Sequence, residues 1–215
     1  FPPDELDELE RTDACLIPRV EWPMPERFAN LADGDELRYG GYRMRAVDTP
    51  GHTPGHQCLY LPDQKIMFYG DHLLMNSSPN MAPFPGEADS LGDYLRSLDK
   101  VAQLPVEFAC MGHGFVDPRR QAEAMPERIA WLQRHHRQRL DEIAAQLEER
   151  PGMTGTELAK SITWNIPHAA WEEIPIIQRW IVVCETLAHL DHLMGEGRVR
   201  RERAGDAYRY FMEQR

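Results

Sequence analysis

Residues 49–56 read Thr49-Pro50-Gly51-His52-Thr53-Pro54-Gly55-His56, and no other stretch constrains the chain as tightly. This Gly-Pro-rich loop follows directly on a run with strand character, Tyr42–Val47. Two further places repeat its design. Ile66-Met67-Phe68-Tyr69-Gly70-Asp71 and Cys110-Met111-Gly112-His113-Gly114 also end a short apolar run in glycine and a metal-capable side chain. The physics is shared: a strand fixes direction, glycine lets the backbone turn tightly, and the first polar side chain past the edge projects into a site. Two imidazoles and one carboxylate suit zinc, or manganese and iron under other metal supply. Any one such place is commonly structural, but three in this order are hard to explain as loop punctuation.

The remaining chain organises around these points. Residues 4–14 read as a short acidic helix and 16–30 as a Pro-punctuated surface segment. Leu37–Tyr39 and Tyr42–Val47 read as strands joined at Gly40-Gly41, and Gln57–Leu61 and Lys65–Tyr69 as two more, joined at 62–64. Such close spacing predicts antiparallel pairing. Leu91, Leu95, Leu98 and Val101 recur at helical spacing, so residues 89–103 are expected to be a helix capped by Asp89 or Ser90. Val106–Met111 is expected to be a buried strand. A long amphipathic helix is expected over roughly 121–149, ended by Pro151-Gly152. Two helices, 154–159 onward and 174–194, then a hairpin of Arg198–Glu202 with Ala207–Phe211, suggest a small winged-helix unit.

Here the chain resembles the metallo-β-lactamase-fold hydrolases, the superfamily that includes glyoxalase II, and within it a bacterial branch that ends in a winged helix. The resemblance rests on Asp48 through His56, on Gly70-Asp71-His72-Leu73-Leu74 with Ser78-Pro79-Asn80, on Leu91-Gly92-Asp93-Tyr94-Leu95-Arg96-Ser97-Leu98, and on Gly112-His113-Gly114. Leu187-Ala188-His189-Leu190-Asp191-His192-Leu193 with Glu196-Gly197-Arg198-Val199 is similar to the branch's terminal domain. It implies an α+β class: the C-terminal portion of an αββα sandwich at 1–122, a linking helix at 123–150 and a winged-helix-like domain at 151–215. It implies a site for two divalent metals, zinc first. His52 corresponds to a ligand of one metal, Asp71 to the bridging carboxylate and His113 to a ligand of the other. His56 is expected to orient the loop from behind the ligands. For His72, lining the site and packing in the core stand even.

In that family a metal-bound hydroxide attacks an electrophilic carbonyl or phosphorus centre, and no serine or cysteine nucleophile is needed. The favoured reading is hydrolysis of a small acyl substrate: an ester, thioester or lactone. A nuclease or phosphodiesterase of the same fold, and a non-catalytic interaction protein, remain as alternatives. The family's other ligands come from H-x-H-x-D-H at an earlier strand end, yet residues 1–51 hold no histidine. The metals are therefore expected to be absent or partial in this chain alone. The N-terminal half of the same protein, or another chain, would complete the site. The missing initiator Met fits a fragment. A homodimer is a further possibility.

Two histidine groups are set aside. His189-Leu190-Asp191-His192 imitates the end of the ligand motif but lies in an apolar-periodic helix, after the other ligands. His135-His136 is expected at the surface, because neighbours on a helix point about 100° apart and cannot readily share a metal. Phe84, Tyr94 and Trp22 are candidate pocket residues, although such aromatics are commoner in core or lid.

Charge bears on partners. The net charge is −11, and residues 1–122 hold 11 basic against 20 acidic side chains. That argues against a large phosphate-binding surface there, and nucleic acid is not the expected partner. A recognition helix over 174–194 would present Glu185, Asp191 and Glu196 with only Arg179 opposing, and Arg198-Val199-Arg200-Arg201-Glu202-Arg203 reads as a solvated wing. No run approaches a membrane span, and no signal peptide is visible. The four cysteines, Cys15, Cys58, Cys110 and Cys184, lie far apart. Reduced thiols and a cytoplasmic location follow as expectations.

Overall fold

The computed structural model describes residues 3–11, 29–114, 117–164 and 170–213. The segment expected over 16–30, with Trp22, falls almost entirely outside them, and so does Cys15.

Five strands form one sheet in sequence order: β1 (Glu36–Tyr39), β2 (Tyr42–Asp48), β3 (Gln57–Leu61), β4 (Ile66–Gly70) and β5 (Phe108–Met111). The first four are antiparallel neighbours, as their short connections require. The fifth is parallel to β4, because the chain returns through helix α2 (Ser90–Ala102) before pairing. The consequence decides where chemistry sits. Strands β2, β4 and β5 all run in one direction, so their C-terminal ends share one edge of the sheet.

Helix α2 starts where expected, its Asp89 side chain accepting the Gly92 amide at 2.7 Å. It lays Leu91, Tyr94, Leu98 and Val101 into the core against Met67 and Tyr69. Helix α3 spans Pro118–Glu149, with Asp117 as cap and a proline in its first turn, where the missing donor costs nothing. Then come α4 (Gly155–Ser161), opened by a Thr154–Glu157 capping box, a 3₁₀ turn at Trp171–Glu173, α5 (Ile176–Gly195) and the hairpin β6 (Val199–Ala204) with β7 (Ala207–Met212). The core is continuous from Val47 on β2 to Tyr210 on β7. Helix α1 (Pro3–Arg11) docks on α5, where Glu5 and Arg179 meet at 3.1 Å in a buried pair.

Helix α5 corrects one expectation. It packs on α1, α2, α3 and α4. Arg179 and Glu185, expected on an exposed recognition face, are buried, and only Gln178, Trp180 and Gly195 of this helix are exposed. An apolar period shared by several faces is spent on packing against several neighbours. Among the described residues no helix is long and apolar enough to cross a membrane. Cys58, Cys110 and Cys184 are free thiols, the first buried and the others half-buried.

Candidate metal centre

The loops leaving β2, β4 and β5 bring His52, Asp71 and His113 together at the shared sheet edge. The Asp71 carboxylate stands between the two imidazoles: Oδ1 lies 3.1 Å from His113 Nε2 and Oδ2 lies 3.9 Å from His52 Nε2. Each oxygen faces a different ring, the disposition a carboxylate needs to bridge two cations. The His52 tautomer is fixed by its other nitrogen. Nδ1 donates to the Asn80 carbonyl at 2.8 Å, so the Nε2 lone pair points at the site.

Two glycines have roles no other residue can fill. Gly51 adopts φ 138°, and a Cβ there would sit 2.5 Å from Tyr94 Cβ, so the octapeptide can lie flat on α2 only with glycine at this position. Gly112 faces the site: a Cβ would come within 2.6 Å of Asp71 Oδ1 and 2.8 Å of the Gly70 carbonyl oxygen.

Behind the three donors the structure adds residues that sequence reasoning missed. Ser97 donates to the Pro50 carbonyl at 2.9 Å and Lys100 to the Asp48 carbonyl at 3.0 Å, so α2 holds the N-terminal end of the octapeptide. Arg128 of α3 donates to the carbonyls of Leu74 and Ser77, holding the segment that carries Asp71 and Asn80. Side chains that serve backbone carbonyls leave no pattern in sequence. Asn80 lies within a stretch singled out above, but its contribution is a carbonyl that any residue has.

His56 stays off the Asp71 carboxylate. Its Nδ1 meets the Thr49 hydroxyl at 2.7 Å, and the backbone amide of Thr49 donates to the His56 carbonyl, pinning the loop's two ends together. Burial pushes its imidazole below the ordinary range, with His52 adding to the effect. His72 packs behind the loop that carries His56. It is fully buried between the rings of His56 and Tyr94, with centroids at 6.0 and 5.3 Å. Burial, then the neighbouring His56, push it down to about 3, so it is neutral. Tyr94, a candidate pocket residue, is instead core, fully buried between His72 and His136, while Phe84 is half-buried in the loop before α2. His136 is a second correction. It is fully buried against His189 of α5, because its side of α3 faces that helix rather than solvent.

The sheet, backed by helices and with a carboxylate and two imidazoles gathered at one edge, has a metallo-beta-lactamase superfamily fold, as comparison with known proteins shows. Residues 23–113 match the model of that family, described as Metallo-beta-lactamase superfamily. A metallo-beta-lactamase family protein of Thermus thermophilus superposes with a TM-score of 0.70 at 33% identity, over 88% of this chain and 56% of that one. A Beta-lactamase-like protein 2 homolog of Caenorhabditis elegans is 26% identical over 81% of this chain and 56% of its own length. A hydroxyacylglutathione hydrolase of Cereibacter sphaeroides is 34% identical over 43% of this chain and 34% of its own. The chain thus spans about half the length, or less, of the relatives it matches.

Proposed function

We propose that the protein is a metal-dependent hydrolase of a small ester, thioester or lactone, with His52, Asp71 and His113 among its ligands. The observation that carries this reading is Asp71, whose two oxygens face imidazoles delivered by two different strands. The donor set fits divalent zinc, with iron or manganese as alternatives. His52 offers a fixed Nε2 lone pair, and the space beside Asp71 is kept free by glycine at 112. When bound, such metals supply a water nucleophile active at neutral pH and a Lewis acid for the substrate oxygen.

The chain's own residues position these donors. Ser97 and Lys100 hold the loop of His52, Arg128 holds the loop after Asp71, and Asn80 keeps the His52 proton on Nδ1. A thioester ranks first among the acyl substrates because one matching relative bears the name hydroxyacylglutathione hydrolase. The remaining ligands, in this reading, come from polypeptide outside these 215 residues. Residues 151–215 are read as a winged-helix-like unit whose long helix, α5, packs into the core. The burial of α5 favours the acyl reading over nucleic-acid cleavage, since a groove-reading helix needs an exposed face.

The test is turnover of a thioester and lactone panel by the metal-reconstituted protein, supplied with its complementing polypeptide. Activity should fall by ~100-fold or more in Asp71→Asn, since displacing even a supporting group costs 10–100-fold. No turnover across the panel, with metal content verified, would retire the reading. RNA binding that weakens steeply with salt would favour a nuclease instead.

A further inference from the structure

The α3–α5 crossing holds a polar cluster that the sheet-edge site does not use. One donor atom each of His135, His136 and Glu185 lie within 4.8 Å of one another. The hydrogen bonds around it place the protons of His189 and His136. A carbonyl can only accept, so His189 Nδ1, 2.7 Å from the Glu185 carbonyl oxygen, must carry a hydrogen. Burial pushes His189 down to about 3, so its ring is neutral and Nε2 is a bare lone pair. That lone pair lies 3.2 Å from His136 Nδ1, which must therefore be the donor. His136 is also held neutral by burial, and its remaining nitrogen, Nε2, is a lone pair. Nε2 of His136 is buried with no hydrogen-bond partner, and so is Oε1 of Glu185.

An unpartnered imidazole lone pair and an unpartnered carboxyl oxygen in one buried cluster call for a positive centre: a proton, since burial pushes Glu185 up to about 7, or a metal cation. A relay in which one imidazole donates to another, which donates to a backbone carbonyl, is the supporting arrangement that holds a metal-ligating histidine in place. His135 completes the set from the adjacent position. Its ring stacks on Trp131 with centroids 5.0 Å apart and lies 5.2 Å from that of His136 at 70°. Neighbouring helix positions do diverge, but two long side chains can still flank one point when a third ligand reaches it from the facing helix.

We propose that His135, His136 and Glu185 form a second divalent-cation site of zinc type, at the α3–α5 crossing and separated from the sheet edge by the rings of His72 and Tyr94. Tetrahedral zinc with bonds of ~2.1 Å sets its ligands roughly 3.4 Å apart, so atoms at the 4.8 Å limit must draw in by about 1.4 Å. His135, half-buried, has the freedom to supply most of that. Arg139 is the nearby cation: it is committed to Glu142 and the Thr163 carbonyl, and it draws the Glu185 carboxyl partway back from the rise that burial imposes. The bound ion would clamp α5 to α3, with a water completing the four-coordinate shell.

The test separates the two sites by emptying the first. Asp71→Ala protein is titrated with zinc against a chromophoric chelator, and its crystals are soaked in zinc and measured at the zinc absorption edge. It should retain one zinc per chain with an anomalous peak between His135, His136 and Glu185. Adding Glu185→Gln, or His135→Gln where the former impairs folding, should weaken that binding at least ~10-fold. Zinc binding that ignores both substitutions, or no binding up to ~1 mM zinc, overturns the proposal. Glu185 then shares a proton with His136. Neither outcome depends on hydrolase activity.

Discussion

Replacing Gly112 by alanine tests whether the sheet-edge geometry is built for a bound ion or is incidental. A Cβ at this position lies 2.6 Å from Asp71 Oδ1, whereas ordinary contact begins near 3.4 Å, so the carboxylate must retreat by about 0.8 Å. The opposite neighbour cannot share the movement. The Gly70 carbonyl oxygen, 2.8 Å from the same Cβ, accepts the Gly112 amide at 2.9 Å where β4 and β5 end. Metal donors tolerate displacements of only ~0.2 Å. Zinc affinity at this site should therefore fall at least ~10-fold, read by chelator competition in a Glu185→Gln background so that the α3–α5 cluster does not contribute. Overpacking costs about 1–3 kcal/mol, which at about 2–4 °C per kcal/mol lowers the melting temperature by roughly 2–12 °C. Gly55→Ala is the matched control: its Cβ would meet nothing within 4 Å, and stability should stay within about 0.5 kcal/mol. If Gly112→Ala binds zinc within twofold of the parent and melts with it, the cradle reasoning is refuted.

Other substitutions probe the frame. Arg179→Met leaves the buried Glu5 carboxylate without its ionic partner, only the Trp171 Nε1 hydrogen bond remaining, which should cost about 3–5 kcal/mol or release α1 from α5, whichever is smaller. Hydrogen exchange along α5 distinguishes these, and unchanged exchange and stability would refute both. His72 is pushed down to about 3 in the fold, so between there and 6.5 only the unfolded chain protonates at this position. Its contribution is complete above 6.5 and is lost as pH falls, at about 1.4 kcal/mol per unit, and His72→Phe should flatten that acid limb in denaturant titrations. Leu98→Ala, at a fully buried α2 position, should destabilise by about 2–5 kcal/mol by chemical denaturation. Burial pushes the Cys58 thiol up to about 12, so alkylation at pH 8 should modify half-buried Cys110 well before Cys58.

Much of the fold was legible because its signals are local. The strand and helix limits, the Asp89 cap and the Thr154–Glu157 box all follow from short-range pattern and backbone chemistry. The positions of His52, Asp71 and His113 past strand ends were legible for the same reason, each marked by a neighbouring glycine. What failed was the judgement of faces. His136 was placed at the surface as one of a diverging helix pair, and Glu185 and Arg179 on the face of a recognition helix, yet each is buried because its helix has neighbours on more than one side. His72 could not be decided from sequence, since a histidine beside a ligand looks the same whether it lines the site or packs beneath it.

The sequence by itself determined that three strand ends would each present a metal-capable side chain, because glycine and strand direction act within a few residues. Only the tertiary structure decided that these ends share one edge. That depends on β5 returning through α2 to pair in parallel with β4, a contact between residues some forty positions apart. The same holds for the relay from Glu185 through His189 to His136. Proton placement there follows from two helices crossing, and no spacing along one chain encodes which lone pair is left without a partner.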